Sequence, residues 1–275
     1  MNAMTSPECS VPVQVRVEKW LGDQLSLCRD TVAEEVPVAL EYNGISHAVR
    51  LASPYDLEDF ALGFSLSEGI LGCPSELFDC EVSATADGIQ VQMQIASGRF
   101  AALKGKRRNL TGRTGCGLCG AETLQQAIRR PAPVHSSVAF TAAELYAGMQ
   151  AMQQRQLLQQ QTGATHAAAW MAADGTITLV REDIGRHNAL DKLMGALALR
   201  GEDFSKGAAL ITSRASYEMV QKAATLGVGF LAAISAPTSL AVKLAEDSGV
   251  TLVGFTRNQS HVVYAHARRL LRAAS

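Results

Sequence analysis

The chain has 275 residues, of which 47% are hydrophobic and 19% are charged, and its formal net charge is −1. This composition is typical of a globular protein that can bury a sizeable core. The balanced charge argues against general nucleic-acid binding, and no apolar run reaches the 18 residues that a membrane helix requires. The six cysteines stand at irregular positions, and the sequence shows no signal-peptide pattern. A cytoplasmic protein without disulfides, membrane or nucleic-acid partners is therefore expected.

The first half of the chain predicts strands and one helix. Residues 11–17 alternate between apolar and polar, and Asn43-Gly44 separates two alternating runs, which predicts a tight hairpin. Ser53-Pro54 predicts the start of a helix that runs to about Glu68, with Ser53 as its N-cap. A second hairpin is predicted around Asp87-Gly88.

A boundary is predicted at residues 131–133, where two prolines occur, so that residues 1–131 form one domain and residues 132–275 the other. The capping-box pattern from Thr141 to Glu144 predicts a long helix to about Gln161. We interpret the glutamine-rich end of that helix as a solvated face. Asp174-Gly175 predicts a further hairpin.

The last third of the chain predicts a parallel sheet. Three buried-type strands, at residues 208–211, 229–234 and 250–255, alternate with helices that begin near Ser216 and Thr238. Ligands of such sheets bind beyond the carboxyl ends of the strands. Here those ends carry hydroxyls and two arginines, at residues 212–216, 235–239 and 256–258, which suits a diphosphate. The alternative is that the serines and threonines only cap helices.

The pair Cys116 and Cys119 follows a basic, glycine-rich stretch that has no acidic residue between Asp87 and Glu122. A positive field, and the N-terminus of a short helix predicted over residues 122–130, would lower the pKa of both thiols and favour the nucleophilic thiolate. The surrounding glycines predict a mobile loop. Two alternatives remain open, namely half of a zinc site and a thioredoxin-like dithiol, although Cys73 and Cys80 are too far apart to complete a zinc site.

Residues 183–192 form a dense polar patch at a predicted strand-to-helix turn, followed by the apolar face of a helix that includes Leu190 and Leu197. Arg186 and His187 at the start of that helix could contact an anion, or the patch could provide only capping and surface charge. His166 has no partner ligands at metal-site spacing, so a structural or cofactor-adjacent role is favoured for it.

These motifs together resemble the FdhD family, the formate dehydrogenase accessory sulfurtransferases. The resemblance runs from about Glu34 to Arg269, and its most specific part is the patch around Gly185 to Lys192. It implies an α/β fold in which a smaller β-rich domain and a mobile CxxC loop precede a C-terminal domain similar to the cytidine deaminase fold, a mixed sheet flanked by helices. It also implies transfer of sulfur from a cysteine desulfurase to the molybdenum or tungsten cofactor of formate dehydrogenase, which contains two pterin guanine dinucleotides, and a homodimer.

The resemblance assigns roles to individual residues. Cys116 would carry the persulfide, and Cys119 would assist. The family's cofactor-binding segment, which would hold the Mo-bis(molybdopterin guanine dinucleotide) as a substrate, falls on Phe255, Thr256, Arg257, Asn258, Gln259 and Ser260. No resident metal is implied. Deaminase chemistry is not expected, because His166 lacks the glutamate that zinc deaminases place two residues after the histidine. A non-catalytic cofactor chaperone is the alternative from another functional class.

Overall fold

The computed structural model describes residues 13–108 and 130–271. Two larger sheets, which differ in strand order and direction, organise this part of the chain. The helices are α1 (Leu57–Ser67), α2 (Ser97–Arg108), α3 (Ala142–Gln154), α4 (Leu157–Thr162), α5 (Arg186–Leu199), α6 (Tyr217–Thr225) and α7 (Ser239–Ser248). The strands are β1 (Val13–Leu21), β2 (Gln24–Val32), β3 (Val36–Tyr42), β4 (Ile45–Ala52), β5 (Leu77–Thr85), β6 (Gly88–Ile95), β7 (Phe140–Thr141), β8 (His166–Ala172), β9 (Ile177–Asp183), β10 (Gly207–Ile211), β11 (Phe230–Ala233), β12 (Thr251–Arg257), β13 (Ser260–Ala265) and β14 (Leu270–Leu271).

The larger sheet has the order β13-β12-β11-β10-β8-β9. Strands β10, β11 and β12 are parallel, and the remaining neighbours are antiparallel. Helix α3 contributes Leu145 and Met149 to the apolar core on one face, and α5, α6 and α7 cover the other. The predicted mixed sheet flanked by helices is therefore confirmed. The similarity to the cytidine deaminase fold stays a prediction.

The smaller sheet has the order β4-β3-β6-β5, with only β3 and β6 parallel. Asn43 and Gly44 both have positive φ, which is the backbone that a two-residue hairpin turn requires, so the predicted hairpin between β3 and β4 is confirmed. The hairpin predicted at Asp87-Gly88 connects β5 and β6. Helix α1 packs Phe60 and Leu62 onto the inner face of this sheet.

Helices α1 and α5 join the two sheets through a glycine contact. A Cβ added to Gly63 would lie 1.8 Å from the backbone oxygen of Asp191, and one added to Gly195 would lie 1.9 Å from that of Asp59. No side chain fits in this space, so the two helix backbones are in direct contact at the glycines. The proposed division into domains 1–131 and 132–275 stays a prediction, but helices from both parts share this contact.

The structure corrects the predicted bounds of three segments. Helix α1 begins at Leu57 rather than near Ser53, and Asp56 at its N-cap has a left-handed backbone. Residues 97–108, interpreted as part of a mobile basic segment, form helix α2. The capping box at Thr141 and Glu144 is confirmed, but the helix ends at Gln154, and α4 follows as a separate short helix.

The strand predicted at residues 11–17 is β1, which extends to Leu21 and pairs with β2 along its whole length. No prediction was made for β2. In the part of the chain that the structure describes, no helix is long and apolar enough to cross a membrane.

Candidate functional site

The carboxyl ends of β10 and β11 meet the first residue of β8 at one edge of the larger sheet. Thr212 follows β10, and its Oγ1 accepts a 2.8 Å hydrogen bond from the backbone of Ala167, which fixes His166 beside it. A cavity of about 600 Å³ opens here and is lined by Gln153, Gln156, Gln159, Gly163, Ala164, Thr165, His166, Thr212 and Ile234. This is the edge at which ligands of parallel sheets bind.

Glutamines from the break between α3 and α4 form one wall of that cavity. Gln156 is only 5% exposed, so the interpretation of this glutamine-rich segment as a solvated face is wrong for the residue at the break. The carboxylate of Glu182 holds the wall in place, because it accepts hydrogen bonds from the backbones of Leu158 and Gln159 at 2.9 and 2.8 Å. Amide side chains can donate and accept, which suits a polar ligand.

Two of the predicted strand-end loops lie side by side. In the first loop, the backbone of Ala215 donates to the Ala236 oxygen at 3.3 Å, and its own oxygen accepts from Thr238 at 3.1 Å. Ser216 and Thr238 stand at the N-caps of α6 and α7, so both helices point their positive N-terminal ends at this surface. Thr238 caps its helix through a side-chain hydrogen bond, whereas Ser216 does not.

The third predicted loop is instead part of a β-hairpin. Strand β12 continues to Arg257, and Asn258 and Gln259, both with a φ of 52°, turn the chain directly into β13. The prediction of a free strand end at residues 256–258 is therefore wrong, because β13 pairs with β12. The segment still borders the other two loops, since the backbone of Phe255 donates to the Ser235 oxygen at 3.2 Å. We call residues 212–216, 235–239 and 255–260 together the strand-end surface.

Within the segment 255–260, exposure differs from residue to residue. Thr256 is 1% exposed, whereas Phe255 is 36% exposed and Arg257 to Ser260 are exposed. Phe255 has a φ of 51° at a register shift between β12 and β13. A bulge of this kind reorients the following side chains, which explains why neighbours in one strand differ so strongly.

Three polar atoms at or near this edge are buried without a protein hydrogen-bond partner in the described part of the chain: Arg186 Nε, Ser216 Oγ and Thr256 Oγ1. Leaving a buried polar group unpaired costs about 1–3 kcal/mol, so such a group in a native protein calls for an explanation, and a bound ion is one. An anion with oxygens on several sides could satisfy donors of this kind.

Two histidines flank Arg186. Burial, and then the neighbouring Arg186 and His187, hold the pKa of His166 below its usual value, so His166 is neutral at pH 7. His187 Nε2 lies 2.7 Å from Glu218 Oε2, and this contact lowers the pKa of Glu218. Arg186 and His187 at the α5 N-terminus and His166 of β8 thus place one guanidinium and two imidazoles near the cavity.

Most of the polar patch at residues 183–192 binds the first half of the chain instead of the cavity. Lys192 Nζ lies 2.7 Å from Asp183 Oδ2 with both side chains fully buried, and it also donates to the Ser53 oxygen at 3.0 Å. Asn188 donates to the Leu51 oxygen at 2.8 Å. These residues of the patch are therefore not surface charges. Arg186 and His187 are the residues of the patch that lie near the cavity.

A second buried ion pair completes this internal contact. Lys222 of α6 lies 2.9 Å from Asp191 and from Glu68, and it also donates to Ser67 Oγ at 2.9 Å. The opposite charges of Asp191 and Glu68 raise the pKa of Lys222 despite its burial. Sequence reasoning did not identify Ser53, Ser67 or Lys222 as parts of this internal contact. Ser53 and Ser67 bind aspartates more than 100 residues away, and Lys222 lies equally far from its partners Ser67 and Glu68.

Cys116 and Cys119, their predicted mobile loop and the predicted helix at residues 122–130 lie outside the described residues. Burial raises the pKa of Cys80 to about 12, so this thiol is protonated at neutral pH and unreactive. Cys28 and Cys73 are exposed and free. Among the described residues, no group of three or more histidine, cysteine or acidic side chains could hold a metal ion.

Comparison with known proteins decides the family. The FdhD/NarQ family model matches residues 33–271. The chain belongs to the FdhD/NarQ family. It is 62% identical over 259 residues to the sulfur carrier protein FdhD of Cupriavidus necator, covering 94% of this chain and 90% of that protein. It is 54% identical over 241 residues to the sulfur carrier protein FdhD of Bordetella petrii, covering 88% of this chain and 87% of that protein.

The FdhD architecture is also found in a solved structure. A crystal structure of a candidate formate dehydrogenase accessory protein from Desulfotalea psychrophila superposes with a TM-score of 0.74, covering 94% of this chain and 99% of that chain. The sequence identity is 22%, so the likeness concerns the fold. The two relatives from Cupriavidus necator and Bordetella petrii are both named sulfur carrier proteins.

Proposed function

We propose that this chain is a sulfurtransferase that carries sulfur as a persulfide on Cys116, from a cysteine desulfurase to the molybdenum or tungsten cofactor of formate dehydrogenase. The observation that carries the proposal is the 62% identity, over nearly the whole chain, to a protein named a sulfur carrier. The sequence supports it further, because Cys116 and Cys119 follow the most basic stretch of the chain.

The transfer step is a thiol–persulfide exchange. The Cys116 thiolate attacks the terminal sulfur of the donor's persulfide, forming a new S–S bond while the donor S–S bond breaks. The donor leaves as a thiolate, so the loading of Cys116 needs no external oxidant or reductant. A low thiol pKa favours this step, because the thiolate is the nucleophile. In this proposal Cys119 assists by stabilising or resolving the persulfide.

Mass spectrometry tests the proposal. The full chain is incubated with a cysteine desulfurase and free cysteine, and an addition of about 32 Da, one sulfur atom, is expected on the peptide that contains Cys116. The adduct should be removed by dithiothreitol and absent from the Cys116→Ala variant. A Cys28→Ala variant, which removes an exposed thiol elsewhere, should gain the same mass as the wild type. An unmodified Cys116 in the wild type would contradict the sulfur-relay mechanism.

We further propose that the cofactor binds as a substrate with a guanine nucleotide end on the strand-end surface. Two helix N-termini and the unpaired Ser216 and Thr256 hydroxyls support a diphosphate there. The cavity of about 600 Å³ lies at the same sheet edge and has room for part of a nucleotide. The segment Phe255 to Ser260 stays the predicted cofactor-binding segment, and Arg257 provides its cation.

Replacing Arg257 with alanine is expected to weaken GDP binding about 10- to 150-fold, because an arginine–phosphate contact is a charge-assisted hydrogen bond worth about 1.5–3 kcal/mol. Isothermal titration calorimetry with GDP and ADP measures the effect. Arg268→Ala is the matched control, since Arg268 is exposed beyond the far end of β13. Equal affinity of the wild type for GDP and ADP would contradict a guanine-specific site.

The purified protein is expected to contain no stoichiometric metal, because only Cys116 and Cys119 stand at ligand spacing and a closed zinc site needs four ligands. Elemental analysis by mass spectrometry provides the measurement. One zinc per chain that disappears in the Cys116→Ser/Cys119→Ser variant would support the zinc alternative instead.

A cofactor chaperone without sulfur chemistry is the second candidate, and the polar cavity next to His166 favours it equally. Both candidates predict GDP binding, but only the sulfurtransferase predicts the persulfide on Cys116. In either case formate dehydrogenase is the proposed recipient, and the cytoplasm is the proposed location.

A further inference from the structure

Helix α4 begins without a cap of its own. Gln156 stands at its N-cap position and makes no side-chain cap hydrogen bond. The cap is provided instead by Glu182 of β9, whose carboxylate accepts from the backbone N–H groups of Leu158 and Gln159 at 2.9 and 2.8 Å. N–H groups in the first turn of a helix otherwise lack a partner, so this carboxylate determines where α4 lies against the sheet.

Glu182 also holds the residue that precedes His166. The hydroxyl of Thr165 donates to Glu182 at 3.0 Å, and the backbone N–H of Thr165 donates to Gln159 Oε1 at 2.8 Å. Thr165 is 7% exposed. Glu182, Gln159 and Thr165 therefore form a closed set of hydrogen bonds, and two of its members, Gln159 and Thr165, line the cavity of about 600 Å³.

This set of hydrogen bonds determines which atom of the Gln159 amide is free. A backbone N–H can only donate, so the atom that meets the Thr165 N–H is the amide oxygen. The Nε2 group of Gln159 has two N–H donors, and it donates to no group in the described part of the chain. Gln159 therefore presents a hydrogen-bond donor to the cavity.

The remaining lining of the cavity suits an uncharged ring better than a phosphate. Among the described residues, no carboxylate, lysine or arginine lines it. His166 is neutral at pH 7 because its pKa lies below the usual value, and Ile234 adds an apolar surface. Thr212 belongs to both the cavity and the strand-end surface, so the cavity adjoins the helix N-termini at which the diphosphate is proposed to bind.

We propose that Gln159 is a specificity-determining residue for the guanine nucleotide end of the cofactor, with its Nε2 donating to the carbonyl oxygen O6 of the base. Glu182 is the positioning residue that holds Gln159 in place. The inference rests on the proposed nucleotide site and assigns its base to the cavity. Guanine has an acceptor at O6 where adenine has an amino group, which donates. A fixed donor therefore favours guanine and disfavours adenine, because two donors would face each other.

Gln159→Glu tests the donor. Glutamate has nearly the same shape and can still accept from the Thr165 N–H, but it replaces the two donors with a carboxylate oxygen. By isothermal titration calorimetry of the full chain, we expect the GDP Kd to rise about tenfold. The ratio of the ADP Kd to the GDP Kd should fall, since a carboxylate accepts from the adenine amino group. Inosine diphosphate, which keeps O6 and lacks the 2-amino group, should be weakened as strongly as GDP.

A matched variant controls for the added charge. Gln161 lies in the same helix, is exposed and does not line the cavity. Gln161→Glu therefore introduces the same negative charge without touching the ligand, and the Kd values for GDP, ADP and inosine diphosphate should equal those of the wild type.

Glu182→Gln tests the positioning. An amide has only one oxygen, so at least one of the three donors that Glu182 binds loses its acceptor. We expect a higher GDP Kd and faster hydrogen exchange of the backbone at residues 158–165. The double variant Glu182→Gln/Gln159→Glu should bind GDP no more weakly than Gln159→Glu alone, because Glu182 acts through Gln159. Glu144→Gln, the same change in the capping box of α3, should leave the GDP Kd unchanged.

The failures of the two proposals are distinguishable. A wild type that does not bind GDP would overturn the proposed nucleotide site and with it the role of Gln159. GDP binding that Gln159→Glu leaves unchanged would overturn the role of Gln159 alone. Equal weakening of GDP and ADP would do the same, since a distorted cavity wall would produce it. Additive losses in the double variant would overturn the positioning role of Glu182.

Discussion

Cells that contain only the Cys116→Ala variant are expected to show no formate dehydrogenase activity. Alanine removes the sulfur that attacks the donor persulfide in the proposed mechanism, in which Cys119 only assists. Activity of the dehydrogenase in extracts, measured with a dye acceptor, gives the result. The expected effect is a complete loss, the largest functional change predicted for any single residue here.

The controls separate sulfur transfer from a general need for the protein. Cys73→Ala removes another exposed thiol and should leave formate dehydrogenase activity unchanged. Cys119→Ala should reduce the activity, with a smaller effect if Cys119 only assists. Unchanged activity in Cys116→Ala cells would exclude the persulfide relay. The circular dichroism spectrum of the purified variant shows whether it is folded, which distinguishes a loss of sulfur transfer from misfolding.

Replacing Lys192 with methionine is expected to lower the free energy of unfolding by about 3–5 kcal/mol, because it leaves the carboxylate of Asp183 buried without its cation. Both side chains are fully buried at 2.7 Å, and the remaining donors to Asp183, among them Ser53 and Gly185, are neutral amides. Urea denaturation followed by circular dichroism measures the loss.

Two matched variants test this explanation. Lys206→Met removes the lysine of an exposed ion pair with Asp203, whose side chains are 77% and 51% exposed, and should change stability by less than about 1 kcal/mol. Lys192→Met/Asp183→Asn removes both buried charges and should recover part of the loss. A Lys192→Met protein as stable as the wild type would show that the ion pair contributes little to stability. If Lys192→Met/Asp183→Asn were less stable than Lys192→Met, the unpaired charge of Asp183 could not be the cause of the loss.

Elements encoded by neighbouring residues were predicted well from the sequence. The Asn43-Gly44 turn needs positive φ at two adjacent positions, which few other residue pairs provide. The capping box joins Thr141 to Glu144 within one helical turn. The alternation of buried strands and helices after residue 207 is similarly local, and each strand was placed correctly.

Features that depend on distant contacts were not predictable in the same way. Ser53 has the residue type of a helix cap, yet its backbone donates to Asp183, 130 residues later, and the helix begins at Leu57 instead. Gln156 belongs to a segment of solvated composition but is buried at a break between two helices. The return strand β13 converts the end of β12 into a hairpin, and only the pairing partner shows this.

The glycine contact between α1 and α5 also constrains how the chain folds during synthesis. Gly63 meets the backbone of Asp191, so this contact cannot form until about 130 further residues have been made. Until then the apolar face of α1 toward α5 lacks its covering, and contacts of such long sequence separation form slowly. We therefore expect the ribosome-bound first half to be aggregation-prone and to depend on chaperones until α5 emerges.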